Sequence, residues 1–167
     1  MTYPDETYEK TFTGQEPFIA QHRSAGAGLL PAAVQLEMAM VGVARRRPFT
    51  PLELTDVTFL RPLPISDDAT APVRLDVSFG PPIRFELSTV VAGERKPLSS
   101  GTGRLLLPGD VPAPTADTVP GPRITGARTI DPDRLYDSWA REGLQYGPDF
   151  RTVRELSVGD DGVAGAT

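Results

Sequence analysis

The stretch that decides the fold is AAVQLEMAMVGVARR, which runs from residue 32 to residue 46. It consists of strong helix formers, follows Pro31 and ends in basic residues, so it predicts a helix. Gln35 and Glu37 are its only polar side chains before Arg45. A helix that is apolar on nearly every side should be buried on nearly every side, and a curved sheet is the element that can cover it in that way.

Segments before and after this helix have the composition of β-strands. Val73, Leu75 and Val77 alternate with polar residues, and the stretch 83–87 repeats the pattern, which predicts one packed face and one wet face. Short turns separate several of these segments and indicate antiparallel hairpins. The sequence therefore predicts an α+β fold, an antiparallel sheet wrapped around one long central helix. The predicted strands are 7–12, 52–60, 73–79, 83–91 and 97–107.

Composition excludes several classes of function. The 167 residues contain no cysteine and one histidine. The sequence therefore predicts no disulfide framework, no thiolate nucleophile and no metal site built from clustered Cys or His. The net charge of −5 is spread along the chain and no long basic run is present, which argues against nucleic acid. No apolar run is long enough to cross a bilayer, and the first ten residues are polar, so we expect a cytoplasmic protein without a membrane partner.

The C-terminal third predicts a second unit. The proline-rich stretch 108–122 has little to bury and indicates a linker that follows a first domain at 1–107. Beyond it, Asp131 as N-cap, Pro132 in the first turn and Gly143 as the stop predict a short helix. A turn and a strand at 152–158 follow, too little to bury a core, so 123–167 is interpreted as the incomplete start of a second domain.

Two motifs carry the chemistry. The only histidine opens the spacing His22, Gly26, Pro31 directly before the central helix. The second motif is Tyr-Gly-Pro-x-Phe at residues 146–150. A neutral imidazole suits proton abstraction near neutral pH, and a backbone amide at a helix start can meet negative charge on an oxygen. In that order and separation, the two motifs resemble the dehydratase domains of modular polyketide synthases.

The resemblance implies a double hot-dog fold whose second half is largely missing from the chain. It also implies dehydration of a 3-hydroxyacyl thioester carried on the phosphopantetheine of an acyl carrier protein, with a possible homodimer and no metal, nucleotide or redox cofactor. His22 would be the general base and the Gly26 amide the donor to the thioester carbonyl. The general acid would be an aspartate beyond Thr167. The residues expected to line or brace the cleft are Gly28, Leu30, Pro31, Tyr146, Gly147, Pro148 and Phe150.

Other interpretations stay open at the level of sequence. Gln21 stands where the family usually has an acidic residue, and no aspartate of the chain is followed four positions later by Gln or His, the family's pattern for its acid. Enoyl isomerisation or cyclisation by addition of a hydroxyl would use the same proton transfers. A hot dog without catalytic activity, used for docking, is a further alternative. Judged without the motif, a lone histidine before a helix is more often a capping or surface residue.

Overall fold

The elements come from a computed structural model, which describes residues 4–46, 48, 50–107, 109–110, 128–160 and 164–166. In chain order they are β1 (Glu6–Phe12), α1 (Pro17–Ala20), β2 (His22–Ser24), β3 (Ala27–Leu29), α2 (Ala32–Ala44), β4 (Leu52–Phe59), β5 (Pro64–Ile65), β6 (Ala71–Ser78), β7 (Ile83–Val91), β8 (Glu94–Leu105), β9 (Arg128–Ile130), α3 (Pro132–Arg141), β10 (Leu144–Tyr146), β11 (Leu156–Val158) and β12 (Ala164–Ala166). A 3-10 turn at Pro148–Phe150 lies between β10 and β11.

The largest element is a five-stranded antiparallel sheet in the order β1-β6-β7-β8-β4. Its inner face is formed by the alternating residues that the sequence predicted, because successive side chains of a strand point to opposite sides. The outer face carries ion pairs: Asp76 pairs with Arg74 of the same strand and with Arg95 of β8. The buried side chains on the inner face include Val73, Leu75, Val77, Ile83, Phe85 and Leu87.

The helix α2 packs against this sheet, mainly on β6, as the fold prediction requires. Its buried positions are Gln35, Ala39, Gly42 and Val43, which recur at helical spacing along one side. The expectation that the helix would be buried on nearly every side is wrong for the described residues: Met40 is 42% and Val41 47% exposed. The physical reason is that the sheet contacts one side of the helix and leaves these apolar side chains uncovered.

The predicted strands of the main sheet are confirmed to within one to three residues at their ends. Strand β8 begins at Glu94, so the turn before it is the two-residue pair Ala92 and Gly93, both at positive φ, instead of a five-residue loop. The strand expected at 152–158 is limited to the three residues of β11. The short helix is confirmed: the Asp131 side chain accepts a hydrogen bond of 3.0 Å from the amide of Asp133.

Two smaller sheets complete the fold. One has the order β10-β2-β3-β5 and the other β12-β11-β9. The first sheet joins the C-terminal segment to the N-terminal one, since β10 pairs with β2. The predicted linker, 108–122, lies outside the described residues except at 109–110. Neither α2 nor either of the two shorter helices has the length and apolar character that crossing a bilayer requires.

The core of the sheet gives the first prediction. Leu87 on β7 is fully buried, so Leu87→Ala should lower the free energy of unfolding by about 2–5 kcal/mol, because it removes buried methyl groups and leaves a cavity. Val91→Ala, at a position of the same strand that is 52% exposed, is the matched control and should change it by less than about 0.5 kcal/mol. Urea denaturation followed by circular dichroism measures both. Equal losses in the two variants would contradict the assignment of β7's inner face.

Candidate active site

The only histidine lies on a tight hairpin in front of the central helix. His22 begins β2, which turns through Ala25 and Gly26 into β3. Both turn residues have positive φ, 49° and 85°, as a two-residue hairpin turn demands. No strand was predicted between residues 12 and 32, and the structure shows this β-hairpin there.

Gly26 lies at the exposed tip of this hairpin, three residue pairs along from His22 and about 10 Å away at the usual rise of a strand. The role of its amide as donor to the thioester carbonyl stays a prediction. Gly28 is buried in β3, where an added Cβ would come within 2.6 Å of a methyl of Ile19. Its role is to let α1 pack closely on the hairpin.

The hydrogen-bonding of His22 defines its tautomer. Nδ1 of the imidazole lies 3.0 Å from the carbonyl oxygen of Leu29, the residue opposite on the hairpin. A carbonyl oxygen can only accept, so Nδ1 carries the hydrogen in the neutral ring. The lone pair of the neutral ring is then on Nε2. This arrangement orients the imidazole and leaves one nitrogen able to take a proton.

The Tyr-Gly-Pro-x-Phe motif lies directly against this imidazole. Tyr146 of β10 is the strand partner of His22, and its ring is stacked at 5.6 Å between centroids. Phe150 is also stacked on the imidazole, at 5.4 Å, and lies 6.2 Å from Tyr146. If the imidazole lay between the rings of Tyr146 and Phe150, their centroids would be separated by about twice the distance from either ring to the imidazole. The two rings therefore lie side by side against the histidine. Trp139 and Tyr136 of α3 back the ring of Tyr146 with edge contacts.

Gln21 holds the second motif in place. Its Nε2 donates to the carboxylate of Asp149 at 2.6 Å, and its Oε1 accepts from the Asp149 amide at 2.8 Å. The backbone amide of Gly147 donates to the Gln21 carbonyl oxygen at 2.8 Å. A Cβ on Gly147 would lie 2.7 Å from the Gln21 side chain, which explains the glycine. The family's acidic residue could not donate to Asp149 in this way, so the amide suits the aspartate of this chain.

A cleft of about 330 Å³ opens beside His22. The first amides of α2, at Ala32 and Ala33, precede the first backbone hydrogen bond of the helix, which Val34 donates to the Pro31 carbonyl. Such amides and the helix dipole attract negative charge. Ala32 lines the cleft together with His22, so the start of α2 brings backbone amides next to the imidazole. The cleft is lined by His22, Leu29, Leu30, Ala32, Gln35, Phe59, Leu60, Arg61 and Pro62.

The predicted residues thus divide into three groups. Leu30 lines the cleft and Pro31 is the N-cap of α2. Tyr146 and Phe150 touch the imidazole, whereas Gly147 and the exposed Pro148 only shape the turn that carries Phe150. The sequence analysis did not predict that residues 59–62, at the end of β4 and after it, line the cleft, nor that Gln35 does. The one signal for Gln35 was its polarity within an apolar helix.

The contact between Gln21 and the motif gives a prediction for local stability. Gln21→Ala removes the acceptor of the Asp149 amide, so hydrogen exchange at that amide should become about fivefold faster, as expected for the loss of about 1 kcal/mol. Gln145→Ala, an exposed glutamine on β10, is the control and should leave the rate unchanged. Exchange followed by NMR reads both variants. Unchanged exchange in Gln21→Ala would mean that the turn is held by other contacts.

Comparison with known proteins agrees with this geometry. The family model described as polyketide synthase dehydratase domain matches residues 3–90, more than half of the chain, and one described as polyketide synthase dehydratase N-terminal domain matches 114–167. Polyketide synthase ThaG of Burkholderia thailandensis is 33% identical over an aligned length of 165 residues. The alignment covers 90% of this chain and 3% of that protein.

Solved structures show the same fold. The dehydratase domain from the CurF module of curacin polyketide synthase aligns with a TM-score of 0.80 at 19% identity, over 93% of this chain and 57% of that one. A trans-AT polyketide synthase dehydratase domain from Brevibacillus brevis aligns with a TM-score of 0.78 at 25% identity, over 93% and 60%. The predicted α+β hot-dog arrangement is confirmed, and this chain spans little more than half of such a domain. The chain belongs to the family of polyketide synthase dehydratase domains.

Proposed function

We propose that this chain contributes the base-bearing half of a dehydratase that removes water from a 3-hydroxyacyl thioester in polyketide biosynthesis. The observation that carries the proposal is the imidazole of His22, whose Nδ1 is committed to the Leu29 carbonyl while its ring borders a cleft at the start of α2. The membership of the chain in the dehydratase family supports the same reaction.

The proposed reaction begins with proton abstraction. Nε2 of His22 takes a proton from C2 of the acyl chain, and the electrons of that C–H bond form the C2–C3 double bond as the C3–O bond breaks. Negative charge that grows on the thioester oxygen during the step is stabilised by the amides of Ala32 and Ala33 at the start of α2. The departing hydroxyl takes a proton from an acid and leaves as water.

The acid is proposed to be an aspartate outside this chain, as the resemblance implied. The described residues around the cleft provide the base, the amides and an apolar lining, which suits an acyl chain. The thioester is proposed to arrive on the phosphopantetheine of an acyl carrier protein, as the resemblance implied. The proposed chemistry requires no metal or redox group. The rings of Tyr146 and Phe150 are stacked against His22 and limit the movement of the imidazole.

Replacing the histidine tests the proposal. The assay uses the complete dehydratase, in which this chain is joined by the part that supplies the acid. There His22→Phe keeps an aromatic ring next to Tyr146 and Phe150 but cannot accept a proton, so turnover should fall by at least about 100-fold. Mass spectrometry of the carrier-bound acyl chain measures the loss of water, and circular dichroism checks the fold. Gln145→Ala, exposed on the strand next to the site, is the control and should retain full turnover.

The products of the same assay separate the other interpretations. A shifted double bond would identify an isomerase, and a cyclic ether from a substrate with a distal hydroxyl would identify a cyclase. Unchanged turnover in His22→Phe would rule out the proposed base. If the complete protein with His22 binds the carrier protein normally but shows no turnover, docking without catalysis is the interpretation that remains.

A further inference from the structure

A buried amide in the central helix has an unused acceptor. Gln35 is only 4% exposed, and among the described residues its Oε1 has no hydrogen-bond partner. An unpaired acceptor that is removed from water destabilises the folded protein, so native proteins rarely retain one without a reason. At most other positions α2 uses Ala, Val, Leu or Met, and an apolar side chain at position 35 would avoid this cost.

The position of Gln35 relates that acceptor to the proposed chemistry. Gln35 lines the same cleft as His22 and follows Ala32 by three residues, so the two occupy one face of α2 about 4.5 Å apart along the helix axis. With the thioester oxygen at the start of α2, a group one helical turn further along lies next to the acyl carbons beyond the carbonyl. Gln35 thus lies next to the position proposed for the reacting part of the chain.

We propose that Oε1 of Gln35 accepts a hydrogen bond from the 3-hydroxyl of the acyl thioester, which makes Gln35 a specificity-determining residue for hydroxyacyl chains. This inference rests on the function proposed above, because it uses the thioester position at the start of α2. The hydroxyl is a donor on the carbon next to the one that loses its proton. Donation to Gln35 occupies its hydrogen and leaves the oxygen lone pairs free for the acid that protonates the leaving group.

A second donor on the substrate needs to be distinguished from the hydroxyl. The phosphopantetheine arm carries amide N–H groups, which could also reach an acceptor in the cleft. Both sources share the same chemistry, an N–H or O–H donor, but only the hydroxyl is lost in the reaction. A saturated thioester of equal chain length keeps the pantetheine amides and lacks the hydroxyl, so it separates the two.

The experiment compares the binding of pantetheine thioesters by calorimetry. All proteins carry His22→Phe, so that the 3-hydroxyacyl ligand is not consumed. The protein with Gln35 should bind the 3-hydroxyacyl thioester about tenfold more tightly than the saturated one, as expected for one hydrogen bond to a buried acceptor. Gln35→Met, which has a similar volume, should reduce this preference to less than about twofold, and Gln35→Leu is measured in parallel so that the result does not depend on one variant folding.

Ser99→Ala is the matched control. The Ser99 hydroxyl is also buried without a hydrogen-bond partner among the described residues, but Ser99 does not line the cleft, so this variant should keep the tenfold preference. A thermal melt without ligand adds an independent measurement. Gln35→Met should raise the melting temperature, because it replaces an unpaired buried amide by an apolar side chain of similar volume.

The outcomes separate this inference from the proposed function. Equal weakening of all ligands by Gln35→Met would overturn the inference in favour of a pantetheine contact, and an unchanged preference would overturn it outright. If the preference depends on Gln35 but the parent protein forms no dehydrated product, the cleft recognises hydroxyacyl chains and the dehydratase proposal fails. If dehydration depends on His22 while Gln35→Met changes nothing, only the inference fails.

Discussion

The pairing of β10 with β2 is the contact on which the site depends. It joins two segments that are more than a hundred residues apart in the chain and places Tyr146 directly opposite His22. Gln21, the residue before the histidine, then holds the following turn through both polar atoms of its side chain, which brings Phe150 onto the imidazole. Without this pairing, one side of His22 would lose its aromatic neighbours, and the ring would be held only by its hydrogen bond to Leu29.

The helix α2 has two functions that compete energetically. Its buried side packs on the large sheet and contributes to the core, for which apolar residues are best. Its first turn meets the cleft, where free amides and a polar side chain are useful for chemistry. Gln35 lies where these requirements meet and satisfies the second at the expense of the first, the usual trade between stability and activity at a functional site.

The parts of the fold with strong local signals were predicted from sequence. Alternation in β6 and β7 follows from a sheet with one buried face, and the capping of α3 by Asp131 is a local property of its first turn. The hairpin at 22–29 was missed because its strands have three residues each, too few for a periodic pattern, and because Ala25 adopts positive φ despite its side chain. For the same reason the position of Gly26 at the tip of a hairpin was not predicted.

The amino-acid pattern alone predicted the α+β class, the central helix, all five strands of the main sheet and the choice of His22 as the chemically distinctive residue. These depend on composition and on short periodic patterns, which are local properties of the amino-acid sequence. Only the tertiary structure decided that Tyr146 and Phe150 contact the imidazole, that the start of α2 borders the cleft, and that Gln35 is buried with an unused acceptor. Each of these depends on contacts between distant segments, and no local pattern encodes the distance between them.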